Sequence, residues 1–279
     1  MKLKLTPLVC LSLLACTHSH RLSRHVPPAE AAWYKITIDQ EPPEQGRKTI
    51  PARIAAAIQV AMDDFLPWDA PLPADAEADD VCRSQRQSWD IQFRNSPADD
   101  KVVLVAIMLA PGACHRGPVP LDLGVTYAVD TNTESILAIQ TAIGRVIGKK
   151  LQEEAASIHF PGQLDQQEYK RIEGNMAAAI QLALDDFRPQ GTVPPPQTGP
   201  EDACLYQRRS YDVTAAPAPD AIMLVRFDVN DNACPSSTPT VMDGVTHPLL
   251  VEAPIYAIDL RTTRILTFAS YPRRRQVKQ

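Results

Sequence analysis

Residues 54–67 read IAAAIQVAMDDFLP, and residues 176–189 read MAAAIQLALDDFRP. In both, apolar residues recur every three or four positions: Ile50, Ile54, Ile58, Ala61 and Phe65, then Ile172, Met176, Ile180, Ala183 and Phe187. That spacing predicts one amphipathic helix in each copy, stopped by Pro67 and Pro189. The copies stand 122 residues apart. At the same offset the pattern D-x-C-x-x-Q-R-x-S-aromatic-D occurs twice, from Asp80 to Asp90 and from Asp202 to Asp212. Further on, Tyr127-Ala128-Val129-Asp130 meets Tyr256-Ala257-Ile258-Asp259 after a small insertion. The chain is therefore a duplicated unit.

Around each helix the sequence predicts strands. Trp33 to Ile38 and Ser157 to Phe160 are short β-like stretches ahead of the helices. Ser88 to Phe93, Val102 to Leu109, Val125 to Asp130 and Ser135 to Ile139 follow the first, rich in β-branched and aromatic residues. Thr131-Asn132-Thr133 and Arg261-Thr262-Thr263 are expected hairpin turns. The predicted order in each half is strand, helix, then four strands. One amphipathic helix needs a sheet face on which to bury its apolar stripe.

That order resembles the cystatin-like fold, in which an antiparallel sheet wraps one long helix. The resemblance rests on element order over about 120 residues per half. It implies an α+β protein of two tandem domains, residues 33–152 and 153–279, each β-α-β-β-β-β with one internal disulfide. The cystatin inhibitory loop is not expected, since Gln140-Thr141-Ala142-Ile143-Gly144 lies at the end of the last strand of its unit instead of in an earlier hairpin.

The chain opens with Lys2 and Lys4, an apolar run from Leu5 to Leu14, and a small residue before Cys16, the layout of a secretion signal. Leu13-Leu14-Ala15-Cys16 resembles the lipobox of bacterial lipoproteins. The resemblance implies cleavage of residues 1–15, acylation of Cys16 and, with Thr17 next, lipid anchoring in an outer membrane facing the periplasm. Residues 16–32, with His18, His20 and His25, then read as a polar tether. Without Lys2 and Lys4 the formal charge moves from −5 to −7, and a mildly acidic body is a poor nucleic-acid binder.

Of the six cysteines, Cys82, Cys114, Cys204 and Cys234 remain after loss of Cys10 and acylation of Cys16. Four cysteines allow three pairings. The duplication selects Cys82 with Cys114 and Cys204 with Cys234, each closing a loop worth roughly 3 to 4 kcal/mol in the chain-entropy model. No metal-ligand spacing recurs in both halves, and neither a metal nor a cofactor is expected.

Asp63-Asp64 and Asp185-Asp186 sit at helix C-termini, where the macrodipole disfavours carboxylates. A structural partner is expected for each copy: Arg86 for Asp64, and Arg208 for Asp186. His115, His159 and His247 occupy unrelated positions, and no nucleophile context or phosphate loop is present, so the sequence points away from an enzyme. The halves differ most in the stiff acidic loop after the first helix, where Trp68, Asp69, Asp75, Glu77 and Asp79 are candidate partner-binding residues. An aromatic anchor among carboxylates suits a basic protein surface. In general plan the chain resembles the immunity lipoproteins that neutralise effectors delivered by type IV or type VI secretion. The resemblance implies a non-catalytic, protein-binding role; a structural or assembly lipoprotein and an envelope enzyme with an unrecognised site are the alternatives.

Overall fold

The computed structural model describes residues 24–34, 36, 38, 41–68, 70–114, 124–141, 146–148, 169–189, 191–196, 198–199, 203–230, 240–242, 245–247 and 250–274. The expectations for the signal segment, Cys16, His18, His20, Asp69, His115, residues 157–160 and Cys234 lie outside them. The fold is α+β with two antiparallel sheets. Two helices of 14 residues, α1 (Ala52–Phe65) and α2 (Gly174–Phe187), occupy the two repeated stretches.

The strands of the first half are β1 (Lys48–Ile50), β2 (Trp89–Asn95), β3 (Val102–Leu109), β4 (Gly124–Asp130), β5 (Ser135–Thr141) and β6 (Val146–Gly148). The second half supplies β7 (Lys170–Ile172), β8 (Tyr211–Ala218), β9 (Ile222–Val229), β10 (Thr240–Met242), β11 (Val245–His247), β12 (Leu250–Asp259) and β13 (Arg264–Arg274). The predicted hairpin turns join β4 to β5 and β12 to β13. Their first carboxylates, Asp130 and Asp259, accept backbone N–H groups two residues on, from Asn132 and Arg261.

Two expectations fail at the helix N-termini. Trp33 to Ile38 contains no described strand: Pro28–Ala31 is a helical turn begun by its proline, and Ala32–Tyr34 is a 3-10 turn. The strands that precede the helices are β1 and β7, so Ile50 and Ile172 end strands instead of opening the helical stripe. Pro51 (ψ 142°) and Glu173 (ψ 146°) are extended and break the period there.

These two short strands join the opposite halves. β1 pairs with β8, with Ile50 opposite Val213, and β7 pairs with β2, with Ile172 opposite Ile91. The resulting sheet orders are β6-β5-β4-β3-β2-β7 and β1-β8-β9-β12-β13. Each repeat thus lends one strand to the sheet of the other, which departs from the expected arrangement of a first strand within its own unit. One apolar core runs through both repeats, from Ile50, Ile58 and Met62 through Ile107 and Leu182 to Phe227 and Ile258.

The exchange extends to helix capping. The last Asp of the repeated motif accepts the first helical N–H of the opposite repeat: Asp212 Oδ1 from Ala52 N at 2.7 Å, and Asp90 Oδ1 from Gly174 N at 2.9 Å. A carboxylate there satisfies an orphan donor and complements the helix dipole. Asp212→Ala should lower the unfolding free energy by about 1 kcal/mol. Asp90→Ala should cost more, since Asp90 is buried and also pairs with the charged Arg171, whereas the second bond of the less buried Asp212 comes from the neutral amide of Asn230. Urea midpoints of the two variants test that ranking, and equal midpoints would count against it.

Candidate functional site

The repeated motif converges where the two halves meet. Arg86 and Ser88 lie on a 3-10 turn (Arg86–Ser88), and Arg208 and Ser210 on its counterpart (Arg208–Ser210). Ser88 Oγ donates to Cys82 O at 2.7 Å and Ser210 Oγ to Cys204 O at 2.6 Å. The aromatic positions act alike: Trp89 Nε1 donates to Arg83 O at 2.8 Å and Tyr211 OH to Leu205 O at 2.6 Å. Both fasten the cysteine segment to the following strand. Cys82 is bridged to Cys114 across 32 residues. Cys204 is also disulfide-bonded.

Arg86 is the centre of the junction, with its side chain only 2% exposed. It donates to Asp63 Oδ1 at 2.8 Å, to Leu66 O at 3.0 Å, and across to Gln181 Oε1 of α2 at 2.9 Å. Burial lowers its pKa from the ordinary guanidinium value, against the opposing pull of Asp63 and Asp185. Arg208 repeats the pattern, donating to Asp185 Oδ1 at 2.8 Å and to Arg188 O at 2.6 Å, and its other nitrogen stands 3.6 Å from Asp63. Asp63 therefore sits between an arginine from each repeat.

The predicted partners are displaced by one residue: the arginines reach Asp63 and Asp185 instead of Asp64 and Asp186. Adjacent helical side chains point about 100° apart, and it is the first Asp of each pair that faces the opposite half. The second Asp turns to its own sheet, where Tyr127 OH donates to Asp64 at 3.1 Å and Tyr256 OH to Asp186 at 3.2 Å. Burial first, and the neighbouring carboxylate second, push both phenols well above their ordinary value of about 10. The folded state thus keeps protons that the unfolded chain releases above about pH 10, so stability is full below that pH and falls as pH rises further. Urea midpoints across that range should decline, and the double variant Tyr127→Phe, Tyr256→Phe should flatten the decline.

Gln59 and Gln181 were not singled out by sequence, although a glutamine within AAAIQ at the same place twice was the available signal. Both are buried; Gln59 Nε2 donates to Asp63 at 3.0 Å, while Gln59 Oε1 and Gln181 Nε2 lack a partner.

The acidic loop divides in two. Trp68 is half-buried on the core, with the Arg86 Cζ 4.0 Å and the Arg24 Cζ 5.1 Å from its ring centroid. Two of its acidic residues are engaged locally: Glu77 forms a capping box with Asp80 at the helical turn Ala78–Arg83, and Asp79 lies 3.6 Å from Arg83. Asp75 is exposed, beside exposed Leu72. Among the described candidates, Trp68 is packed at the junction, while Glu77 and Asp79 are engaged on their own helical turn.

Two open clefts flank the junction. One, about 240 Å³, lies between Trp68, Gln85, Gln87 and the β12–β13 turn at Arg261. The other, about 220 Å³, lies between Pro189, Tyr206, Arg209 and the β4–β5 turn at Asn132. Each is walled by both repeats.

The segment read as tether is docked from Arg24 onward. Arg24 pairs with Asp185, His25 Nε2 meets Asp186 Oδ1 at 2.8 Å, and Val26 N donates to Ile265 O at 2.8 Å. Val26 then packs with Ile222, Leu224, Ala257 and Leu266 on the outer face of the second sheet, beside Tyr34, Ile36 and Ile38.

No family model, curated protein or solved structure matches the chain. Among the described residues, no group of three or more His, Cys, Asp or Glu side chains could hold a metal ion, and no helix is long and apolar enough to cross a membrane. Chemically, the junction offers fixed charges already opposed to one another, and two serines whose hydroxyls are committed to backbone carbonyls.

Proposed function

We propose that the chain is a non-catalytic lipoprotein, anchored through Cys16 to an outer membrane and facing the periplasm, that binds a protein partner. A toxic secreted effector is the partner class that best fits a compact, acidic, disulfide-bonded body on a lipid tether. One observation carries this reading: the polar residues that the duplication repeats, Asp63, Arg86, Ser88 and Asp90 with their counterparts Asp185, Arg208, Ser210 and Asp212, are bonded to the chain itself. They are scaffold, which leaves the unrepeated surface for function. Each half, with its helix on an antiparallel sheet and its first strand exchanged, also fits a cystatin-like unit.

The test compares cells carrying the chain, its Cys16→Ser variant and a deletion, each in contact with an effector-delivering neighbour. Survival that depends on the chain, joined with direct binding of the purified effector to the protein, supports the reading. An envelope defect on deletion without any attacking neighbour would instead favour an assembly role, and turnover of an envelope substrate would favour an enzyme.

A further inference from the structure

The N-terminal segment from Arg24 to Val26 sits on the second repeat in the way a bound peptide does. The Arg24 guanidinium lies over Trp68 and pairs with Asp185; the His25 ring meets Asp186, which also holds Tyr256. Its backbone is recognised as well: His25 bridges Ile265 in parallel, Val26 N donates to Ile265 O, and Arg264 Nη2 donates to His25 O at 3.0 Å. Val26, 5% exposed, fills the apolar patch below. Main-chain pairing to a sheet edge, with side chains read by separate contacts, is the pattern of β-strand addition.

We propose that this face, made by Trp68, Asp185, Asp186 and the outer edge of β13, is a docking site for an extended, basic, proline-free segment of a protein partner, occupied in cis by Arg24–Val26. The proposal rests on the partner-binding role argued above and gives it a place and a chemistry. Three observations single the face out. Its occupant and its aromatic are not repeated: 122 residues after Arg24 and His25 stand the apolar Val146 and Ile147, and the counterpart of Trp68 is Gln190, while Asp185 and Asp186 keep their counterparts in Asp63 and Asp64. Its charge complements a cation, with a carboxylate for each basic side chain and an aromatic ring for the guanidinium.

Thirdly, the resident segment uses little of the edge. Pro27 and Pro28 follow Val26 and have no N–H to continue a ladder. β13 pairs on its inner side with β12 as far as Arg274, while among the described residues its outer side is bridged at Ile265 alone. Beyond that bridge Phe268 is 54% exposed. A partner strand without prolines gains further main-chain bonds and contact with Phe268 that the resident segment cannot make. The resident segment is tethered, so its effective concentration is in the millimolar range, and it lowers the apparent affinity of any competitor.

The experiment uses the full chain in detergent and a fluorescent peptide copying residues 22–30, in two forms: the native sequence and one carrying Pro27→Thr and Pro28→Val. The Arg24→Ala, His25→Ala protein, with its own occupant weakened, should bind the proline-free peptide at least tenfold more tightly than wild type does, and more tightly than it binds the native peptide. Adding Asp186→Asn, which leaves the Asp185–Arg208 pair in place, should remove most of the gain. If the double variant does not fold, Arg24→Ala alone carries the same comparison. A folded variant that binds the proline-free peptide no better than a scrambled control overturns the proposal and makes Arg24–Val26 a structural strap. Should that happen while an effector still binds, the docking site falls and the partner-binding role stands; peptide binding without any protected cell or bound effector gives the reverse.

Discussion

Replacing Arg86 with Met should lower the unfolding free energy by about 3 kcal/mol or more, the loss expected when one partner of a buried charged pair is removed. The expectation follows from what Arg86 holds. Its side chain is almost wholly buried, and it satisfies the Asp63 carboxylate, the Leu66 carbonyl at the end of α1, and Gln181 in the opposite helix. Methionine fills the space and leaves all three acceptors without that donor. Arg208, 3.6 Å from Asp63, compensates in part. Because Gln181 belongs to the other repeat, a double-mutant cycle of Arg86→Met with Gln181→Met should give a coupling above about 0.5 kcal/mol. An unchanged urea midpoint for Arg86→Met would remove the junction from any account of stability.

The second large effect runs against local propensity. Gly174 opens α2, and alanine in a helix is ordinarily favoured over glycine by about 1 kcal/mol. Here a Cβ would stand 2.2 Å from Gln87 O and 3.0 Å from Trp89 O. Both are backbone atoms of the opposite repeat, held by the 3-10 turn and by β2, so they cannot yield as a side-chain tip would. Gly174→Ala should therefore destabilise by about 2 kcal/mol or more, in the range of overpacked cores. Position 52, its counterpart, already carries Ala, with its N–H held by Asp212, so the two junctions are not packed alike. Ala52→Gly should show the ordinary small propensity loss. Gain of stability by Gly174→Ala would show that the close approach of the repeats at this point is not part of the fold.

Much of the local structure was legible in the residues. The helices fall where apolar residues recur at three and four, β3 spans the predicted residues from Val102 to Leu109, and the two Asp-led hairpins close where turn-formers cluster. The Cys82–Cys114 bridge follows from the duplication. The ionic partners were readable only to within one residue. Period alone places Asp63 away from the Ile58 face, toward solvent, but the opposite repeat covers that side of α1 and brings Arg208 to Asp63, beside Arg86 of its own repeat. The surroundings of Trp68 were not legible for a related reason: the arginines that stack on it come from residues 18 and 44 positions away in the chain.

By itself the sequence determined that the chain is a duplication, with one buried helix per copy, a set of antiparallel strands beside it and a disulfide within the first copy. These are consequences of periodicity, turn chemistry and repetition, all of which act over short stretches of chain. Only the tertiary structure decided which copy each strand serves. β1 and β7 meet nearly identical edges, Val213 in one sheet and Ile91 in the other, so local pairing energy cannot tell a strand within its own repeat from one exchanged with its twin. The choice is made by contacts between distant residues: the Asp90 and Asp212 caps, the Arg86–Gln181 bond and the shared core. Those contacts turn IAAAIQVAMDDFLP and its echo from two separate helices into the two halves of one junction.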